Sequence, residues 1–227
     1  MKKIIIAILV IIAFSCILSY CGSIEGNENT KPNTTVAETT INKQSGPVRD
    51  GEYIYFGNYY EHTGHPDDIE WKILKEEDGK LLVISTDYLD YQPYNTENAN
   101  VTWETCSLRA WLNEDFINDV FSPSEQKYIL TTTVSNPDNP DYGTEGGNDT
   151  EDKIFLLSID EVNMFFPDEK ARHRDSNWWL RSPGSSSNGA ASIAKDGWAT
   201  SGGYICHDWR VDSVFGVRPV MWIKLKT

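Results

Sequence analysis

Apolar and polar positions alternate along this chain with two different periods, and the changes of period mark its elements. GEYIYFGNYY (51–60) is a run of β-branched and aromatic residues, the composition of a strand. IEWKILK (69–75) and KLLVIS (80–85) repeat that composition, and Asp78-Gly79 between them suits a two-residue hairpin turn. TDYLDYQPYN, built around Pro93, predicts a loop or a short helical turn. Over 103–120 the period lengthens. Leu108, Trp111, Leu112, Phe116 and Ile117 gather on one face of a helix, with Thr105 or Ser107 as its cap. Ser122-Pro123-Ser124-Glu125 opens a second short helix, with proline in the first turn and an acid at the positive end of the helix dipole.

A long loop follows over 136–152, rich in Pro, Gly, Asp and Asn. KIFLL (153–157) reads as a buried strand, and Ser158 with Asp160 opens a short helix that runs to Phe166. The charged stretch 167–177 reads as surface. The remainder reads as strands at 178–181, 190–194, 198–200 (after an Asp196-Gly197 turn) and 216–225. Strands that flank two or three short helices define an α+β class with mainly antiparallel sheets. One globular domain over 48–227 accommodates all of these elements.

The first 47 residues carry a different pattern. Met1-Lys2-Lys3 followed by IIIAILVIIAF has the charged and apolar regions of a secretory signal. Cys16 and Cys21 close it, as the acylated cysteine closes a lipoprotein signal, and Cys21 is the better candidate because polar sequence begins directly behind it. The alternative is an uncleaved anchor over residues 4–20, whose 17 residues are the short limit for a spanning helix. Residues 22–47 are Asn-, Thr-, Glu- and Ser-rich and bury too little apolar surface to offset their ordering entropy, so they read as a disordered polar linker. Signal and linker together predict an extracytoplasmic domain anchored to the cell membrane.

Charge narrows the partners. The net charge of −14 argues against nucleic acid, whose phosphates are held by clustered Lys and Arg. Twenty-seven aromatic residues supply enough apolar surface for a true core.

Taken in order, the pieces GEYIYFGNY, IEWKIL with LLVIS, WETCSLRAWLN, FSPSEQKYI, TEDKIFLLS, WWLRSPG and GVRPVMWIKL resemble a bacterial extracellular family, the domain of unknown function 6273. The likeness runs over about 51–225. Two departures stand out: the segment before WWLRSPG is short, and Cys106 replaces the family's usual serine. More distantly, the arginine-bearing strand entering a Gly-rich loop and the final Gly-Val-Arg-Pro strand resemble the C-type-lectin-like fold, which formylglycine-generating enzymes share. That resemblance implies that Gly216-Val217-Arg218 ends the chain as a core strand. The paired cysteines of the formylglycine chemistry are missing, since Cys106 and Cys206 lie far apart; they are candidates for a disulfide or for two buried thiols.

Several side chains are candidates for chemistry or binding. Asp138, Asp141, Asp149 and Asp152 offer the hard oxygen ligands that calcium prefers, and the lectin-like resemblance implies calcium in long loops, although the EF-hand spacing fails. A solvated loop is the plainer reading. His62 and His65 lack a second ligand pair at zinc spacing. Ser182 has no base near it in sequence, and no nucleophile elbow, zinc helix or phosphate loop is present. Arg181 and Arg218 sit in apolar strand contexts, where a guanidinium needs carboxylate or carbonyl partners, and Asp152 or Glu161 are candidates. Trp198, Tyr204 and Trp209 lie in polar, Gly-rich context, where aromatic rings suit a sugar face or a peptide. These features predict a tethered, non-catalytic binding module for a glycan, a peptide or another envelope component. An extracellular hydrolase or oxidase on the same fold, and a purely structural envelope lipoprotein, are the alternatives.

Overall fold

In the computed structural model, Asp78 and Gly79 both take positive φ (50° and 72°), and the hairpin predicted from that dipeptide closes there. The model describes residues 46–59, 68–195 and 202–225, which belong to one unit, Lys43–Thr227. The signal and most of the linker, Cys16 and Cys21, His62 and His65, the Asp196-Gly197 turn and Trp198 lie outside the described residues.

In chain order the strands are β1 (Val48–Asp50), β2 (Tyr53–Tyr55), β3 (Glu70–Glu77), β4 (Lys80–Ser85), β5 (Asp90–Pro93), β6 (Thr132–Val134), β7 (Thr150–Asp152), β8 (Trp178–Pro183), β9 (Gly189–Ile193), β10 (Ile205–Arg210), β11 (Val214–Val217) and β12 (Val220–Lys224). β1-β2-β3-β4-β12 form one sheet, antiparallel throughout. β10-β9-β8-β11-β5 form a second, antiparallel except where β8 meets β11. β6 and β7 pair by themselves at the base of the acidic loop. The molecule is a sheet-rich α+β domain.

The helical pieces are α1 (Ser107–Trp111), a π turn (Leu112–Phe116), α2 (Ile117–Val120), a 3-10 turn (Gln126–Tyr128), α3 (Ile159–Phe165) and α4 (Glu169–Arg172). The periodic stretch 103–120 is thus helical from Ser107, and of its apolar face Leu108, Leu112, Phe116 and Ile117 are buried while Trp111 is half-buried. Neither Thr105 nor Ser107 caps it. Cys106 occupies the cap without a side-chain bond, while Thr105 Oγ1 accepts from Thr102 N–H and Ser107 Oγ from Thr96 N–H. Ser158 does cap α3, in a reciprocal box with Glu161.

Four expectations change. The run 216–225 is two strands: Pro219, which has no N–H to donate, interrupts the ladder, so β11 stays in the second sheet and β12 crosses to the first. Residues 90–93 form an edge strand on β11 rather than a loop. Residues 154–157 are buried but make only the single bridge Phe155–Val220 among the described residues. The charged segment 167–177 carries α4, and its Arg172 is buried.

The core lies around β4, β8 and β9, whose side chains from Leu81 onward in β4 and throughout β8 and β9 are buried. Trp71, Trp103, Trp178 and Trp179 are among its largest members.

Candidate functional site

Arg181 shows what a satisfied buried guanidinium looks like. It lies in β8 at 3 % exposure, where its terminal nitrogens hold both carboxylate oxygens of Glu161. Its remaining donors reach Leu156 O (2.7 Å) and Ser135 O (2.9 and 3.2 Å). Glu161 also receives Ser158 N–H at 2.9 Å, so one carboxylate ties β8 to the start of α3.

Arg218 is different. It sits at the corner between β11 and β12 at 1 % exposure, and no carboxylate reaches it among the described residues. It donates to Ser85 O (2.8 and 3.2 Å) and Thr86 O (3.3 Å). Its guanidinium lies 4.8 Å from the ring centroid of Trp178 and 5.8 Å from that of Phe166. Nη1 is buried without a partner. Burial above all, and then the neighbouring Arg174, lower this guanidinium to about 9. Of the two acids considered as partners, Glu161 belongs to Arg181 and Asp152 to Arg109 (2.7 Å).

The four aspartates of the acidic loop are not gathered around one point. Asp138 accepts from Gly146 N–H (3.0 Å) and Asp149 from Asn136 N–H (3.1 Å). Asp152 accepts from Trp103 Nε1 (2.9 Å) and Thr150 Oγ1 (2.8 Å) as well as from Arg109. Asp141 faces His207 Nε2 at 3.4 Å. Among the described residues, no three His, Cys, Asp or Glu side chains are placed to share a metal ion.

What the loop does instead is dock on the second sheet. Buried Asn139 donates to Pro183 O (2.8 Å) and Gly184 O (3.2 Å), and its amide nitrogen lies 3.0 Å from His207 Nδ1. Asn139 Oδ1 accepts two backbone N–H groups, from Asp141 and Tyr142. That fixes the amide's orientation, makes His207 Nδ1 an acceptor and leaves Nε2 to carry the proton toward Asp141. Tyr142, 55 % exposed, packs its ring 5.1 Å from that of His207.

Two residues further along β10, Trp209 is 41 % exposed and meets Phe215 edge to face at 5.1 Å and 89°. Phe215 in turn stacks on Trp179 (4.5 Å), Trp179 on Tyr94 (5.8 Å) and Tyr94 on Trp103 (6.1 Å). The outermost ring is therefore braced by an aromatic series that ends in the core. Tyr204 is half-buried and Trp198 lies outside the described residues, so Trp209 carries the exposed aromatic surface of this stretch. His207 and Tyr142 were not among the sequence candidates. Their meeting depends on a contact between Asn139 and residues forty or more positions away, which no local pattern signals.

Cys106 and Cys206 are separate free thiols, the first buried and the second half-buried on β10. Burial pushes the Cys106 thiol up to about 12. Ser182 is also buried, and its Oγ accepts Ile159 N–H at 3.0 Å, a helix-end contact rather than a poised nucleophile. A cleft of about 300 Å³ is lined by residues that include Gln92, Thr96, Ser107, Trp111 and Glu114.

Fold and surface together define a sheet-rich α+β domain whose sheet edge carries a docked acidic loop and a braced tryptophan. Residues 78–225 match the family model described as Domain of unknown function (DUF6273), and the chain belongs to that family. The match begins in the β3–β4 turn, downstream of β1 and β2. Comparison with curated proteins and with solved structures finds no match.

Proposed function

We propose that this chain is a membrane-tethered, extracellular, non-catalytic binding module of the C-type-lectin-like kind, whose ligand is a glycan, a peptide or another cell-envelope component. The observation that carries this reading is Trp209: a large exposed ring held edge-on by Phe215 at 5.1 Å. A braced ring loses little conformational freedom when a ligand packs against it, which is what a flat apolar sugar face or a peptide side chain requires. His207 on the same strand and Tyr142 of the docked acidic loop supply a second ring pair, and Asp141, Asp208 and Ser185 add polar groups around it. The lectin-like reading rests on the order of sequence motifs, and the return of β12 to the sheet of β1–β4 accords with it. The signal-like N-terminus and the polar linker support the tether.

The test is a glycan and peptide array probed with the wild-type chain and with Trp209→Ala and Tyr142→Ala. Loss of a binding hot spot of about 2 kcal/mol corresponds to a roughly thirty-fold weaker hit for Trp209→Ala, with the melting temperature unchanged. Hits that survive both substitutions at full strength overturn the proposed surface.

A further inference from the structure

Arginine partnering in this protein is sharply divided. Four of its seven arginines hold a carboxylate: Arg49 with Glu76, Arg109 with Asp152, Arg181 with Glu161 and Arg210 with Asp212. The other three, Arg172, Arg174 and Arg218, hold none among the described residues, and all three lie in one place. Arg174 Nη2 and Arg218 Nη2 share a single acceptor, Thr86 O, at 3.2 and 3.3 Å. Arg172 Nε donates to Phe166 O at 2.5 Å, and Arg172 O receives Trp178 Nε1 at 3.2 Å. The rings of Phe166 and Trp178 are the two beside which Arg218 lies. Lys72 joins them, its Nζ 5.8 Å from the centroid of Phe166.

Three cations, Arg218, Arg174 and Lys72, thus share two rings and one carbonyl in a chain of net charge −14, and Arg172 adjoins them through the backbone of Phe166. Asp87 is the acid whose charge acts on Arg218, but it makes no hydrogen bond to it; Asp87 Oδ1 accepts Tyr88 N–H at 3.0 Å, and Asp175 accepts the Tyr88 hydroxyl. Like charges this close repel, and the rings and carbonyls supply only partial negative charge. Two buried polar atoms at this corner have no partner, Arg218 Nη1 and Ser85 Oγ. Buried polar groups are normally bonded, and a guanidinium left with a free nitrogen keeps a donor for an acceptor that the described residues do not supply. Arg174 and Lys72 are only half-buried, so the cluster extends from the core toward solvent.

We propose that Arg218, Arg174 and Lys72 form an oxyanion site, in which a carboxylate or phosphate group accepts from Arg218 Nη1 and is neutralised by Arg174 and Lys72. This site is separate from the β10 surface, and either can fail without the other.

Thermal melting of the purified chain tests it, with phosphate, acetate and chloride compared at equal ionic strength. A ligand that binds only the folded state raises the melting temperature, by roughly 5 °C at a hundredfold excess over its dissociation constant for a domain of this size. Phosphate or acetate is expected to exceed chloride in this way, and the excess is lost in Arg218→Met, Arg174→Gln and Lys72→Gln. The half-buried Arg174 and Lys72 variants decide the matter if Arg218→Met does not fold. A response to phosphate alone assigns a phosphoryl group, and a response to acetate alone a carboxylate. No difference from chloride overturns the site, and so does a difference that persists in the variants.

Discussion

The guanidinium of Arg218 lies 4.8 Å from the ring centroid of Trp178, with backbone carbonyls as its only hydrogen-bond acceptors among the described residues. Arg181, three residues beyond Trp178 on the same strand, has a bidentate carboxylate and three further bonds. Removing the two arginines should therefore have unequal effects. Arg181→Met strands the Glu161 carboxylate and two carbonyls and is expected to destabilise by roughly 3 kcal/mol or more. Arg218→Met removes a cation that already lacks a partner for one nitrogen, and is expected to lose under about 2 kcal/mol in chloride buffer. Arg49→Ala, which breaks an exposed pair with Glu76, should stay under about 1 kcal/mol. Urea unfolding orders the three, and an Arg218 variant that loses more than the Arg181 variant contradicts the account.

The cysteines should behave differently toward thiol reagents. Cys206 is half-buried and is expected to react with a disulfide reagent in the folded chain, whereas buried Cys106 should react only after unfolding. Below pH about 9 the Cys106 thiol is neutral in both states. Between about 9 and about 12 it ionises only when unfolded, so stability falls as pH rises, by up to about 1.4 kcal/mol per pH unit. Cys106→Ala should remove that part of the alkaline slope. An unchanged slope in the variant contradicts the assignment.

Gly57→Ala should be severe. Gly57 has φ +72°, and an added Cβ would lie 2.4 Å from the Phe121 ring. A left-handed alanine and a forced repacking of the ring together predict a loss of roughly 2–5 kcal/mol. A change under about 1 kcal/mol in chemical unfolding would show that the site relaxes freely.

Asp152 anchors the base of the acidic loop through Trp103, Thr150 and Arg109, and is buried. Asp152→Asn is expected to destabilise by about 3 kcal/mol, because it leaves Arg109 without a counter-charge. Because the loop's carboxylates are used one by one, the melting temperature should be equal in calcium and in chelator. A calcium-dependent rise would mean that the loop rearranges around the ion.

Local chemistry made part of this molecule legible in advance. The Asp78-Gly79 hairpin, the helical face from Leu108 to Ile117 and the helix start at Ser158 each lie within a few residues of sequence, and each formed. The strand β5 was not legible, because its identity comes from pairing with β11 more than a hundred residues later. The break at Pro219 was missed because the apolar run continues through it, although the missing N–H was visible in the sequence. The site divides in the same way. Trp209 stood out by its polar setting, but Tyr142 and His207 meet only because Asn139 carries the acidic loop onto β8 and β10. Arg172 reads in sequence as one more surface charge, whereas its bond to Phe166 O holds it buried.

The binding claim is tested most directly by following the tryptophan indole N–H signals by NMR while oligosaccharide or peptide hits from the array are titrated. Trp71, Trp103, Trp178 and Trp179 each donate that N–H inside the protein, to Phe56 O, Asp152, Arg172 O and Gln92 O. Trp209 makes no such bond among the described residues and is 41 % exposed. The Trp209 signal is expected to move with saturable dependence on ligand while the four internal signals stay in place. A titration that moves the signal of Trp111, in the cleft beside α1, and leaves Trp209 unmoved would contradict it.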